Sequence, residues 1–242
     1  MPSASLFNME GSTLQVLFEG EPYYLYSTDS ERGTIHQVAS GIQPQPGNPR
    51  GFIATVGLNI SNPMYRAFLS MGYGDAEMDS LKAEYKIYMH MAHLQGTVIP
   101  RCYGYFVGDK PTRVGQKTQR VGCLVLEYCC EDRVRALTEE EFNRQIMSHM
   151  CKIHAAGVEH RNINYQFPRH IVKQGLSPRI VNFSKARLHK CVGAIPAASN
   201  GQLMGMGATC PELVQLELNY GLRSGTMIVP PQPILEPYVN GR

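Results

Sequence analysis

The segment Gly157 to Ala186 reads GVEHRNINYQFPRHIVKQGLSPRIVNFSKA. Two polar triplets punctuate it, His160-Arg161-Asn162 and Asn182-Phe183-Ser184, with short strand-like runs near His170 to Lys173 and Arg179 to Val181 between them. Just before it, Thr138 and Glu141 form a capping box ahead of Phe142, Ile146, Met150 and Ile153. That helical spacing predicts a long helix from about Glu139 to Ala155. Between His160 and Pro211 stand seven basic residues, Arg161, Arg169, Lys173, Arg179, Lys185, Arg187 and Lys190, and no acidic one. The result is a locally positive surface, read as a solvated face or as intramolecular partnering ahead of contact with phosphate or an acidic partner.

Working outward, the first seventy residues alternate β-type runs with Gly and Pro breakers such as QPQPGNPRG. The runs are Leu14 to Phe18, Tyr23 to Tyr26, Thr34 to Val38, Phe52 to Val56 and Tyr65 to Leu69, and together they predict a small antiparallel sheet. Asp79 reads as the N-cap of a helix to about Leu94, with Leu81, Tyr85, Tyr88 and Met91 on one face and Gly96 past its end. Cys102 to Val107 and Val121 to Tyr128 read as two strands joined by a polar, basic loop. A last helix is predicted from Pro211, suited to a first helical position, to about Tyr220. The Pro-rich tail, 223–242, reads as extended.

The 242 residues are 43% hydrophobic, enough to bury a sizeable core. Lys and Arg number 23 against 20 Asp and Glu, so the whole molecule offers no general attraction to nucleic acid. Seven scattered cysteines, with Cys129 and Cys130 adjacent, do not resemble a disulfide framework and point to a reducing compartment. No apolar run is long enough for a membrane span and no leader segment is recognisable, so an intracellular site, cytoplasmic or nuclear, is expected.

The two triplets, with the segments VIPRCYGYFVG, CLVLEY, IHAAGVEH, SPRIVNFSKARLHKC and the CPEL run at Cys210, resemble the protein-kinase-like fold. Within it they are similar to the compact kinase-like proteins common in fungi. The resemblance covers most of Leu81 to Leu222, whereas the first eighty residues match only in coarse pattern. It implies an α+β fold of two lobes in a single kinase-like domain over 1–242. A small antiparallel sheet plus helix would form the N-lobe, about 1–128, and a shortened, mainly helical C-lobe would span about 129–222.

The same resemblance implies that Asn162 and Asn182 stand where such proteins carry their catalytic-loop and metal-binding Asp. An amide supplies neither a base nor a formal negative charge. His160, Arg161 and His170 are the equivalent loop residues, with His170 where a metal-binding Asn is usual. No Asp follows Asp132, and Glu159 is the one nearby carboxylate. Glu84 falls where the family places a helix Glu, but no Lys precedes Lys82 to pair with it, and Arg66 is the nearest basic candidate. Leu126, Glu127, Tyr128 and Cys129 fall where backbone groups would meet adenine. No cofactor is assigned on this basis; ATP without normal Mg²⁺ binding is the one that the resemblance leaves open.

The expectation is a pseudokinase acting as a binding or regulatory module with protein partners, the alternative being a divergent ATP-dependent phosphotransferase. Two further constellations, His149, Cys151 and His154 on one helix, and His189, Cys191 and Cys210 meeting in space, do not supply four metal ligands at familiar spacing. They are read as packed or surface residues, and no metal is expected. The PxxP match from Pro230 to Pro233 is read as an ordinary Pro-rich tail.

Overall fold

Apolar residues two apart drive the first half of the chain into long strands, because successive side chains of a strand point to opposite faces. The computed structural model describes residues 12–18, 21–27, 35–59, 62–110, 118–129, 138–163, 170–191 and 210–220. Two compact units divide the chain, Met1–Lys86 with Arg101–Tyr128 and Ile87–Pro100 with Cys129–Arg242.

The first unit contains β1 (Ser12–Phe18), β2 (Glu21–Ser27), β3 (Ile35–Gln45), β4 (Asn48–Asn59), β5 (Asn62–Tyr73), β6 (Cys102–Lys110) and β7 (Gln119–Glu127). They close into a barrel in the order β1-β2-β6-β7-β5-β4-β3. Each pairing is antiparallel except the last, where β1 runs parallel to β3 with Ser12 opposite Ile35 and Val16 opposite Ala39. The interior takes alternate residues: Leu14 and Val16 from β1, Ala54 and Val56 from β4, Ala67, Leu69 and Met71 from β5, and Val121, Cys123 and Val125 from β7. Full burial of one such Leu or Val side chain stabilises by about 1.5–3 kcal/mol.

Helix α1 (Asp75–His90) follows β5. Its start lies four residues before the Asp79 predicted from the sequence. Gly74, at φ +77°, takes the left-handed conformation open to glycine, and its carbonyl accepts the first helical hydrogen bond from the Met78 N–H at 3.1 Å. Glu77 reaches back to accept from the Tyr73 N–H at 2.8 Å. The helix ends at His90, and Ala92–Leu94 form a 3₁₀ turn. Within this unit Tyr105 donates its hydroxyl to the Met78 carbonyl at 3.0 Å. That approach needs a glycine on β7, since a Cβ on Gly122 would lie 2.7 Å from the Tyr105 oxygen.

In the second unit α2 (Glu139–Ala155) begins where the capping box places it, the Thr138 hydroxyl accepting from the Glu141 N–H. Four short strands follow in two antiparallel pairs: β8 (Val158–Glu159) with β11 (Arg187–Leu188), and β9 (Ile171–Gln174) with β10 (Ser177–Ile180). Helix α3 (Pro211–Tyr220) closes the described chain, burying Leu213, Leu216 and Tyr220. Ile180 donates its N–H to the Val98 carbonyl at 3.0 Å, and the Phe183 ring meets Tyr88 edge-on at 5.2 Å.

This architecture corrects the expected fold class. The first part is a closed seven-stranded barrel rather than a small antiparallel sheet, and the protein is rich in strand, with three α-helices among the described residues. It is not the two-lobed kinase-like fold with a mainly helical C-lobe. Alternation marked the strands individually; closure depends on the parallel seam between β1 and β3, a pairing that no local pattern announces. The Pro-rich tail, with its PxxP match, and the loop 164–169 lie outside the described residues. Among the described residues no helix is long and apolar enough to cross a membrane.

Candidate metal centre

The end of α2 sets the first element of the site. His154 lies on the helix's buried face, its side chain fully buried. Gly157, at φ +79°, turns the chain out of the helix into β8. β8 then pairs with β11, Leu188 opposite Val158, and the Arg187–Glu159 ion pair closes its outer side. The ladder extends by one bond, the His189 N–H donating to the Gly157 carbonyl at 2.9 Å. His189 is thereby delivered against His154, ring centroids 5.0 Å apart and edge to face.

Two cysteines complete the cluster. Cys191 follows His189 by two residues, and buried Cys210 directly precedes the first residue of α3. His189 Nε2 stands 3.1 Å from His154 Nδ1, and Cys210 Sγ stands 3.5 Å from the same nitrogen. One ligand atom from each of His154, His189, Cys191 and Cys210 falls within 4.8 Å of all the others. A tetrahedral ion bound at ordinary Zn–N and Zn–S lengths needs ligand separations of roughly 3.3 to 3.8 Å. These four side chains are therefore in position to hold a metal ion with small adjustments. No disulfide joins the six described cysteines to one another.

Behind His154 stands a carboxylate. Glu212, in the first turn of α3, accepts from His154 Nε2 at 2.7 Å, which leaves Nδ1 as the nitrogen facing the cluster. The same carboxylate accepts the backbone N–H groups of His160 at 2.9 Å and Arg161 at 2.5 Å. Burial alone would raise its pKa, but these hydrogen bonds hold the carboxyl below its ordinary range. A carboxylate hydrogen-bonded to the far nitrogen of a ligand histidine is a recurrent outer-sphere arrangement of metal sites.

The residues singled out by the polar triplets are mostly engaged in local structure. Asn162 donates its side-chain N–H to His170 Nε2 at 3.3 Å, and His170 Nδ1 donates to the Asn162 carbonyl at 2.7 Å. His160 is fully buried, donates from Nε2 to the Val181 carbonyl at 3.0 Å, and is pushed down to about 4 first by burial. The fold thus brings His160, Asn162 and His170 together. Arg161 is exposed, at φ +65°; Asn182, at φ +66°, accepts the Ser184 hydroxyl at 2.7 Å. Glu159, the nearby carboxylate, is taken up by Arg187.

In the first unit, Glu84 is buried on α1 and Leu126 is buried on β7. Glu127 exchanges bonds with Arg101, its N–H donating to the Arg101 carbonyl at 2.8 Å and its carboxylate accepting the Arg101 N–H at 3.0 Å. Arg66 lies over the ring of Tyr128 at 4.5 Å. Cys129, the first residue of the second unit after Tyr128, is half-buried.

The metal cluster is what the sequence reading missed. It had paired His189, Cys191 and Cys210 in space, yet assigned His154 to a different group with His149 and Cys151. Those three share a helix but not a destination. His149 lines a separate cavity of about 440 Å³ with Arg144, Lys152 and Ser177. The fourth ligand joins the others only through the β8–β11 pairing, which is a tertiary fact.

Fold and site together define a β-barrel protein with a second unit built around a candidate His₂Cys₂ metal centre. No protein-family model matches the chain, and no curated protein matches it. The resemblance to fungal kinase-like proteins is overturned with the fold that it implied, and the kinase-like description is set aside with it.

Proposed function

We propose that the chain is a non-catalytic binding module whose second unit is folded around a structural zinc ion held by His154, His189, Cys191 and Cys210. The observation that carries this reading is the convergence of two nitrogen and two sulfur donors within 4.8 Å. A mixed N₂S₂ set suits zinc among the common metals, and four protein ligands leave no position open for a substrate or an activated water. Both sulfurs must be thiolates to bind, which suits a reducing compartment. The near-neutral balance of 23 basic and 20 acidic residues favours protein over nucleic acid as the partner class.

Metal analysis of the purified protein tests the reading. One zinc per chain is expected, and replacement by Co²⁺ should give the thiolate charge-transfer and tetrahedral ligand-field bands of an N₂S₂ site. Cys191→Ser and Cys210→Ser should each remove the charge-transfer intensity of one thiolate. Absence of bound metal, with unchanged melting of both variants, would sink the proposal.

A further inference from the structure

Helix α2 carries a polar face that the metal centre does not use. Arg144, Ser148 and Lys152 recur every four residues and form a row along the helix, with Gln145 and His149 in the row beside it. The β9–β10 hairpin packs beside α2, and between them lies the cavity of about 440 Å³, whose hairpin side is Leu176 and Ser177. That volume falls in the range of small-molecule sites. None of its lining residues is a carboxylate, and none is a ligand of the metal cluster.

Two buried groups in this region lack partners that protein interiors normally supply. His149, which lines the cavity, is 7% exposed, and its Nδ1 has no hydrogen-bond partner among the described residues. Arg179 on β10 is 9% exposed; its guanidinium donates from Nη1 to the Pro178 carbonyl at 3.2 Å and from Nη2 to the Gly96 carbonyl at 2.8 Å. Its Nε has no partner, and no described carboxylate is paired with it. A buried cation is costly unless an opposite charge meets it. After burial, the charges of Lys152 and Arg179 are the next causes holding His149 down to about 4, so both bear on the same spot. Arg144 adds little to this field, because Glu141 takes its Nε at 2.6 Å and its Nη2 at 2.7 Å; its Nη1 is left over. The region is short of negative charge and of a hydrogen-bond partner.

We propose that this cavity binds a small phosphate monoester, with the phosphate among Lys152, Ser148 and Ser177 and the organic part against Leu176. The donors outnumber what a carboxylate can use. Lys152 Nζ, Arg144 Nη1 and the hydroxyls of Ser148 and Ser177 belong to the lining, the Ser177 hydroxyl holding only a long bond to the Pro178 carbonyl at 3.4 Å. A carboxylate accepts through two oxygens, whereas a phosphate monoester accepts through three and carries nearly twice the charge. It supplies the counter-charge that Lys152 and buried Arg179 lack. Leu176, 47% exposed, is the apolar side chain of the lining, and a bare phosphate would leave it and most of the cavity to water. The inference does not rest on the zinc reading.

Nitrogen–proton correlation spectra of the full chain, with its metal content left as purified, test it by titration with phenyl phosphate, inorganic phosphate and benzoate. Phenyl phosphate should give saturable shifts confined to amides of 144–152 and 175–177. It should bind at least about tenfold more tightly than benzoate, which has the ring without the phosphate, or inorganic phosphate, which lacks the ring. Lys152→Gln should weaken phenyl phosphate by at least about tenfold; Lys152 is exposed, so the fold should persist, and unchanged shifts elsewhere verify this. Leu176→Ser should weaken phenyl phosphate and leave inorganic phosphate unaltered. Lys185→Gln removes the same charge from an exposed position outside the cavity and should change neither. Absence of saturable shifts at these residues in millimolar phenyl phosphate overturns the proposal. So does equal affinity for benzoate, or an effect of Lys185→Gln as large as that of Lys152→Gln. A phosphoserine peptide binding about tenfold more tightly than phenyl phosphate overturns the small-molecule assignment in favour of a protein ligand.

Discussion

The two units solve the problem of stability by different means. In the barrel every strand has two neighbours, and the interior is apolar side chains alternating along the strands. In the second unit the described strands are two and four residues long, and buried histidines and a carboxylate are interleaved with the apolar contacts. Buried polar groups contribute little unless all are satisfied. Hydrophobic burial distributes stability over many residues, whereas a metal held by the four-ligand cluster, as proposed above, would concentrate it at a few residues of the second unit. The barrel should therefore tolerate loss of metal, and the second unit should not.

The largest expected effect follows directly. With zinc in the cluster as proposed above, its removal should cost the second unit folding free energy on the order of 10 kcal/mol, the scale of structural zinc sites. Exchange-protected amides of α3 and of the β8–β11 pair should vanish on chelation while those of β5 and β7 persist. Simultaneous loss in both units would break the comparison. Next is a lesion confined to the barrel: Leu69→Ala removes a fully buried side chain and should destabilise by about 2–5 kcal/mol. Denaturant unfolding monitored in both units should show that cost in the barrel transition, with zinc stoichiometry unchanged.

Acid should discriminate between the units as well. His149 is held down to about 4 first by burial, then by the charges of Lys152 and Arg179, and its Nδ1 has no hydrogen-bond partner among the described residues. A histidine with a depressed folded pKa takes up its proton more readily when unfolded. It therefore makes stability fall as pH drops from about 6.5 towards 4, and the loss for one such group is up to about 3 kcal/mol. His149→Leu should flatten that fall, as measured by denaturation of parent and variant at matched pH and zinc; an unchanged slope would show that His149 is already solvated. The smallest effect is Thr138→Ala, which removes the α2 cap and should cost about 1 kcal/mol by the same denaturation measurement.

How much of this could be read in advance depended on the range of the interaction responsible. Thr138 with Glu141 announces α2, and Pro211 announces α3, since capping and helix starts are local chemistry. The strand runs of the first seventy residues fall on β1 to β5 for the same reason, the third from Ile35 onward, its Thr34 lying outside the described residues. Gly74 displaced Asp79 as the start of α1 because backbone conformation outweighed side-chain preference. Barrel closure and the metal cluster were not legible. The first rests on β1 finding β3, the second on His154 meeting residues more than thirty positions away through a two-residue strand. The triplets at His160 and Asn182 drew the reading towards a catalytic loop, whereas His160, Asn162, Asn182 and the Arg161 N–H are occupied with each other, with His170, Ser184 and Glu212.

The parallel seam carries one more consequence. β1 is the strand bonded to β2 on one side and β3 on the other. A transient departure of its seven residues would turn a ring into an open sheet with two vacant berths' worth of backbone donors and acceptors on a single gap. Another copy's β1 fits that gap as well as the original, so concentrated, gently destabilised protein should form dimers by strand exchange at this position before it unfolds.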